Sequence, residues 1–335
     1  MIKKIRNFNI NMILILVIMI LINDVLICSI YINNKPTLNI EGNTLNHNYW
    51  SNKKIVWFGT SIPAGGYSGL ETMDNYPNMV GEILGANVIN ESIGSSPMHC
   101  QRASRVSTDN PYGFDENWTA CSRCLSNSLE EMQWLIDNYD SPIFTNNTVH
   151  EITPELKEKI FDCSYERKLN RHLGTKRADL YVLDHGYNDR MIEENQYSEI
   201  DPYNKQTFKG AANFIIKKIL DDNPRAKIAI VTHNNNQCLE KYNEGVIEAQ
   251  EGLASDWQLP CCQLYKRLGW SSKNTIATTK KWNSEGYLVD AGKMQQATVY
   301  SLWIQDGVHP HSDKSKMAMR YIAENLAAWL EHEVR

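Results

Sequence analysis

Four short segments of this chain set polar side chains beside glycines. They are Gly59-Thr60-Ser61-Ile62-Pro63, Ser92-Ile93-Gly94-Ser95, Asp184-His185-Gly186-Tyr187-Asn188-Asp189 and Asp306-Gly307-Val308-His309-Pro310. Between them they hold a hydroxyl, an uncharged amide, a carboxylate and an imidazole. Nucleophilic catalysis combines such groups: an attacker, a base, an acid to orient the base, and donors for developing negative charge. The Asp306–His309 spacing suits one loop turned by Gly307, so a single segment can deliver both side chains. Each segment alone is weak. A serine in a turn is ordinarily solvated, a lone Gly94 is ordinarily a left-handed backbone position, and Asn188, Asp306 or His309 can be plain turn formers or caps. Their order, and their places at strand ends, set them apart.

Those places follow from the hydrophobic pattern. Residues 55–58 form a short apolar run read as a buried strand, 87–91 a weaker second, 180–183 a third and 228–231 a fourth, with 263–265 as a fifth. Residues 76–84 read as a helix, with Pro77 in its first turn and Gly85 at its C-terminal cap. Residues 208–220 place Ala211, Ile215, Ile216, Ile219 and Leu220 on one helical face, ended by Asn223-Pro224. Residues 239–253 read as another helix. A final one begins near Ser312 as N-cap, with Ala318, Ile322, Leu326 and Leu330 at four-residue spacing. Strands alternating with helices predict an α/β fold: a parallel sheet of about five strands, covered on both faces. Ligands of such sheets sit at the carboxyl ends of the strands, where the first three polar segments fall. The stretch at about 97–175 interrupts the rhythm. With Trp118 and an amphipathic helix near 129–138, it reads as an insertion, either a lid that shapes the substrate site or a surface elaboration.

Placed this way, the segments resemble the sequence blocks of the SGNH hydrolases, also called the GDSL esterases. Gly59 and Ser61 match the first block, Gly94 the second, Gly186-x-Asn188-Asp189 the third, and Asp306-x-x-His309-Pro310 the last. The resemblance spans about residues 54–330, and it departs from the family at Thr60, where the name-giving motif has Asp. It implies a flavodoxin-like three-layer α/β/α sandwich and a serine ester hydrolase. In that reading Ser61 attacks the acyl carbon, His309 is the base and Asp306 orients it, with an oxyanion hole from the Ser61 and Gly94 N–H groups and the Asn188 amide. No metal or organic cofactor is required. The family also contains lipases, thioesterases and acyltransferases, so an O-acyltransferase or a non-catalytic binding module on the same fold stays open. Other residues were weighed against this set. His233 ends the fourth strand and could line the cleft. His185 is turned away from Asp184 by strand alternation, His311 is a rival base, and Tyr67 with Gly65-Gly66 could shape an acyl pocket.

The whole chain sets the remaining bounds. It has 335 residues, 42% apolar and 22% charged, with a net charge of −5 and a mean hydropathy of −0.45. That profile excludes wholesale disorder and gives no electrostatic reason to bind nucleic acid. The 18 Gly and 11 Pro fit neither collagen nor a linker-dominated chain. Lys3, Lys4 and Arg6 precede an apolar run at 12–22, which resumes at 25–32 after Asn23 and Asp24. One acid near a helix centre costs roughly 2.5–3.5 kcal/mol and each aliphatic residue returns roughly 0.3–0.6, so the run outweighs Asp24. Residues 1–35 are therefore expected to act as a membrane anchor or signal, 36–53 as a polar linker, and 54–335 as an exported domain. Outside the cytoplasm some of Cys100, Cys121, Cys124, Cys163, Cys238, Cys261 and Cys262 should pair. Cys121 and Cys124 also have the spacing of a metal or redox site, so a thiol or metal-binding surface protein is a further alternative. The expected substrate is a short-chain oxygen ester, acetyl in the first instance, of a small molecule or glycan; the nine Trp and 16 Tyr favour a sugar mildly.

Overall fold

The structure is a computed structural model that describes residues 49–65, 75–99, 108–109, 111–112, 123–138, 153–189, 201–235, 245–310 and 316–335. The expected anchor, most of the linker, Cys100, Cys121, Cys238, Trp118, Gly66, Tyr67, His311 and Ser312 lie outside these residues. Among the described residues no helix is long and apolar enough to cross a membrane.

Five parallel strands form the sheet: β1 (Lys54–Gly59), β2 (Asn87–Asn90), β3 (Leu180–Asp184), β4 (Lys227–Val231) and β5 (Cys261–Cys262), in the order β2-β1-β3-β4-β5. The central strands are apolar along their length because both faces are covered. Ile55, Trp57, Leu180, Val182, Ala229 and Val231 face one core, beside α2 (Tyr76–Leu84) and the last helix, α10 (Met317–Glu333). The alternate residues Val56, Phe58, Tyr181, Leu183, Ile228 and Ile230 face a second core, under α6 (Phe208–Asp222) and α7 (Val246–Trp257). Helices on both sides of one sheet make a three-layer α/β/α sandwich.

The local signals act as their chemistry suggests. Asn75 caps α2 by accepting from the Asn78 N–H, Pro77 sits in its first turn, and Gly85 ends it at φ 62°. Ala318, Ile322, Leu326 and Leu330 are all buried on α10. That helix starts at Met317, after Lys316 at φ 58°, five positions beyond the expected cap. The fifth strand is Cys261–Cys262 rather than 263–265, because Leu264 already opens the short helix α8 (Leu264–Leu268). Two ladder bonds, Ile230 N to Pro260 O and Thr232 N to Cys262 O, complete this edge. Cys261 and Cys262 are free thiols, and burial raises both. The helix expected over 239–253 runs Val246–Trp257, its first expected residues lying outside those described.

Two features were not anticipated. Between 97 and 175 the structure places α3 (Leu129–Asn138) as expected, followed by α4 (Pro154–Phe161) and α5 (Tyr165–Lys168). An antiparallel hairpin of β6 (Thr275–Trp282) and β7 (Leu288–Thr298) follows α8 and leads into α9 (Val299–Trp303), just before the Asp306 segment. Trp282 Nε1 donates to Ser301 O at 2.6 Å, tying the hairpin to α9.

Candidate active site

The first strand ends at Gly59, where a side chain has no room: a Cβ would lie 2.3 Å from Pro63 Cγ and 2.9 Å from Asp184 O. Thr60 then caps a single helical turn, α1 (Ser61–Ala64), accepting from Ile62 N at 3.3 Å. Gly65 closes that turn at φ 74°. Ser61 is thus held just past the carboxyl end of β1, only 8% exposed.

The Asp306 loop folds on itself. Asp306 Oδ1 accepts from Val308 N at 2.8 Å and from His309 N at 2.7 Å, with Gly307 at φ 79°. Its Oδ2 faces His309 Nδ1 at 2.8 Å. Partial burial alone would raise this carboxyl, but hydrogen bonds from the His309 ring and from the His309 and Val308 N–H groups outweigh it and hold the pKa at about 2. An ionised carboxylate can only accept, so Nδ1 carries the proton and Nε2 presents its lone pair. That lone pair meets Ser61: Oγ and Nε2 are 3.0 Å apart, across 248 residues of sequence. A hydroxyl, an imidazole and a carboxylate therefore stand in hydrogen-bond sequence.

The other two segments flank β1 because β2 and β3 are its neighbours in the sheet. Ile93 N donates to Gly59 O at 3.1 Å, which brings the Gly94 turn against the end of β1. Gly94 is buried, Ser95 follows at φ 59°, and the Gly94 carbonyl accepts from Arg123 Nη1 at 2.9 Å. Arg123 is itself buried, which lowers its pKa. It comes from the expected insertion, which therefore touches a candidate site segment. Asn188 is half-buried and its Nδ2 donates to Ser96 O at 3.3 Å. Next to it, Asp189 Oδ1 accepts from Met98 N at 2.8 Å, His99 N at 2.9 Å and His99 Nδ1 at 2.7 Å, stitching the loops after β2 and β3 together.

Three further buried groups stand near these loops: Asp184, assigned no role of its own from the sequence, and His185 and His233, both weighed there. Asp184 Oδ2 accepts from Tyr76 OH at 2.5 Å and Trp57 Nε1 at 3.0 Å. Burial pushes this carboxyl up, and the two donors offset only part of that, leaving a pKa of about 7. Its one sequence signal is an acid closing an apolar strand. His185 points elsewhere, with Nε2 3.4 Å from Ser96 Oγ. His233 lies flat against Tyr187 with ring centroids 4.8 Å apart. Burial depresses both histidines to about 4.

No family model and no curated protein matches the chain. Several solved structures align with most of the chain. A possible lipase from Chitinophaga pinensis aligns at TM-score 0.41 and 18% identity, covering 83% of this chain and 97% of that one. A protein from Parabacteroides merdae, titled a GDSL-like lipase, aligns at 0.41 and 12%, covering 84% and 95%. A family 2 carbohydrate esterase with a carbohydrate binding domain, from Corynascus thermopiles, aligns at 0.38 and 12%, covering 82% and 64%. Likeness at these values assigns no activity to the chain. The sheet order, three polar blocks at strand ends and a fourth between α9 and α10 are features of this chain itself. The chain resembles the SGNH hydrolases in both. The SGNH resemblance includes the departure at position 60, where the Thr60 hydroxyl takes a helix-capping role.

Proposed function

We propose that the protein is a serine ester hydrolase of the SGNH type. The observation that carries this reading is the unbroken hydrogen-bond sequence from Asp306 Oδ2 through His309 to Ser61 Oγ, with contacts of 2.8 and 3.0 Å. In the proposed reaction His309 Nε2 takes the proton as Ser61 Oγ bonds to the acyl carbon, and the carbonyl oxygen becomes an oxyanion. The backbone N–H groups of Ser61 and Gly94 and the Asn188 amide are the proposed donors to that oxygen. His309 then gives its proton to the departing alcohol as the ester C–O bond breaks, leaving an acyl-Ser61 ester. Water, deprotonated by the same imidazole, releases the acid and restores Ser61. Asp306 orients the ring and stabilises its charged form throughout.

For substrate we propose a short acyl group, acetyl in the first instance, on an oxygen of a carbohydrate or similar polar alcohol. We further propose export through residues 1–35, with the domain outside the cytoplasm; a reporter fused after residue 50 that stays cytoplasmic would overturn this. The chemistry is tested by turnover of a chromogenic acetate. Hydrolysis by the wild-type chain that vanishes in Ser61→Ala, with melting unchanged, supports it. No hydrolysis by the wild-type chain would leave a binding module on a hydrolase fold.

A further inference from the structure

At the carboxyl end of β4 several backbone groups are held by side chains. His233 N donates to Gln250 Oε1 at 3.1 Å, and Leu264 N donates to Thr232 Oγ1 at 3.0 Å. Gln250 Nε2 donates in turn to His185 O at 2.6 Å, and Ser272 Oγ to Asn235 Oδ1 at 3.1 Å. Three buried side-chain atoms at this corner have no hydrogen-bond partner among the described residues: His233 Nε2, Asn234 Oδ1 and Asn234 Nδ2. Asn234 is 3% exposed and His233 6%. Both line a small recess with Thr60, Asp184 and Tyr187.

A folded chain rarely leaves an amide and an imidazole dry and unpaired, because each forfeits its bonds to water. The recess also adjoins the proposed machinery: Thr60 precedes Ser61, Tyr187 precedes Asn188, and the His309 ring lies near enough to act electrostatically on His233. His233 Nδ1 lies 2.8 Å from Asn235 O and 3.1 Å from Asn235 N; the shorter contact puts the proton on Nδ1 and leaves Nε2 an acceptor. The unpaired set is then two acceptors and one donor, all uncharged. A hydroxyl both donates and accepts, so it answers this set; an apolar acyl chain answers none of it.

We propose that Asn234 and His233 form a specificity subsite for a hydroxyl of a neutral, hydroxylated substrate. The subsite rests on the esterase reading for its purpose, but not for its detection. A site built to bond a hydroxyl rejects analogues lacking it, because its own polar groups are then stranded. One test compares kcat/KM for glycerol monoacetate and propyl acetate, esters that differ by two hydroxyls. Wild type favours glycerol monoacetate by at least tenfold, and Asn234→Leu brings the ratio to within about threefold of unity. His233→Phe, which keeps the ring against Tyr187 and removes Nε2, lowers the same ratio and stands in if Asn234→Leu fails to fold. A ratio near one in wild type, or one that neither variant moves, overturns the subsite and assigns the recess to an ordered water. The second test needs no turnover. Saturation-transfer NMR with methyl β-xyloside on the Ser61→Ala chain gives a signal that Ser61→Ala combined with His233→Phe loses. No signal in Ser61→Ala overturns the proposal even if esters are hydrolysed, while a signal without ester hydrolysis by wild type overturns only the esterase reading.

Discussion

The two sides of the candidate site are built differently. On one side Asp306 and His309 share a four-residue loop with its own internal bonds, Asp306 accepting from Val308, the His309 N–H and the His309 ring. On the other, Gly94 and Asn188 depend on distant chain: Arg123 reaches back 29 residues to the Gly94 carbonyl, and Asp189 reaches 90 residues to His99. Chemistry that must hold a tautomer is encoded locally. Chemistry that must hold a cradle open is assembled from loops and an insertion.

The sharpest way to break the local side is Asp306→Asn. The amide no longer requires Nδ1–H, and the ring can present its proton to Ser61 instead of its lone pair. Turnover should fall by about 10³–10⁴, the order seen when a serine triad loses its acid. Melting should change little, since Asp306 is partly exposed. A fall below tenfold would show that the loop holds His309 without its carboxylate.

On the assembled side, Asn188→Ala should fold and lower kcat by about 10²–10³, the usual loss for one oxyanion donor. Near-normal turnover would remove Asn188 from that role. Arg123→Met goes one step further out. It removes the bond to the Gly94 carbonyl without touching any group proposed to meet substrate, so kcat should fall by about 10–100-fold through displacement of the loop. KM for a small acetate should move less. If KM alone rose, Arg123 would be acting on substrate binding rather than on the Gly94 turn.

The same contrast explains what could be read from the sequence. Asp306 and His309 are three residues apart, and Ser61 follows an apolar run, so local pattern finds them. Strands β1, β3 and β4 are legible because burial on both faces leaves unbroken apolar stretches, whereas the half-buried β2 shows only a short, weaker run. Arg123, His99 and Asn234 carry no local mark, since their meaning lies in partners far along the chain. The β6–β7 hairpin was invisible for another reason. Both its faces are largely exposed, so Thr, Lys and Gln occupy it without the apolar alternation that marks a half-buried strand. Strand β5 is two residues long, too short to show any period.

Asp184 belongs to neither side, and its variant should affect activity least, because its carboxylate bonds Trp57 and Tyr76 beneath the sheet edge. Its signature is in stability. The folded chain holds this proton up to a pKa of about 7, against an ordinary value of 3.8. The folded state therefore binds more protons than the unfolded chain between those values. The stabilisation is full below about pH 4 and lost as pH rises through about 7, on the order of a few kcal/mol. Asp184→Asn keeps an acceptor for Tyr76 and Trp57 but cannot ionise, so its melting temperature should lack this decline. Melting curves of both chains from pH 4 to 8 should diverge steadily, with the variant gaining as pH rises. Parallel curves would mean that Asp184 is ionised in the fold, leaving a buried charge that Tyr76 and Trp57 fully satisfy.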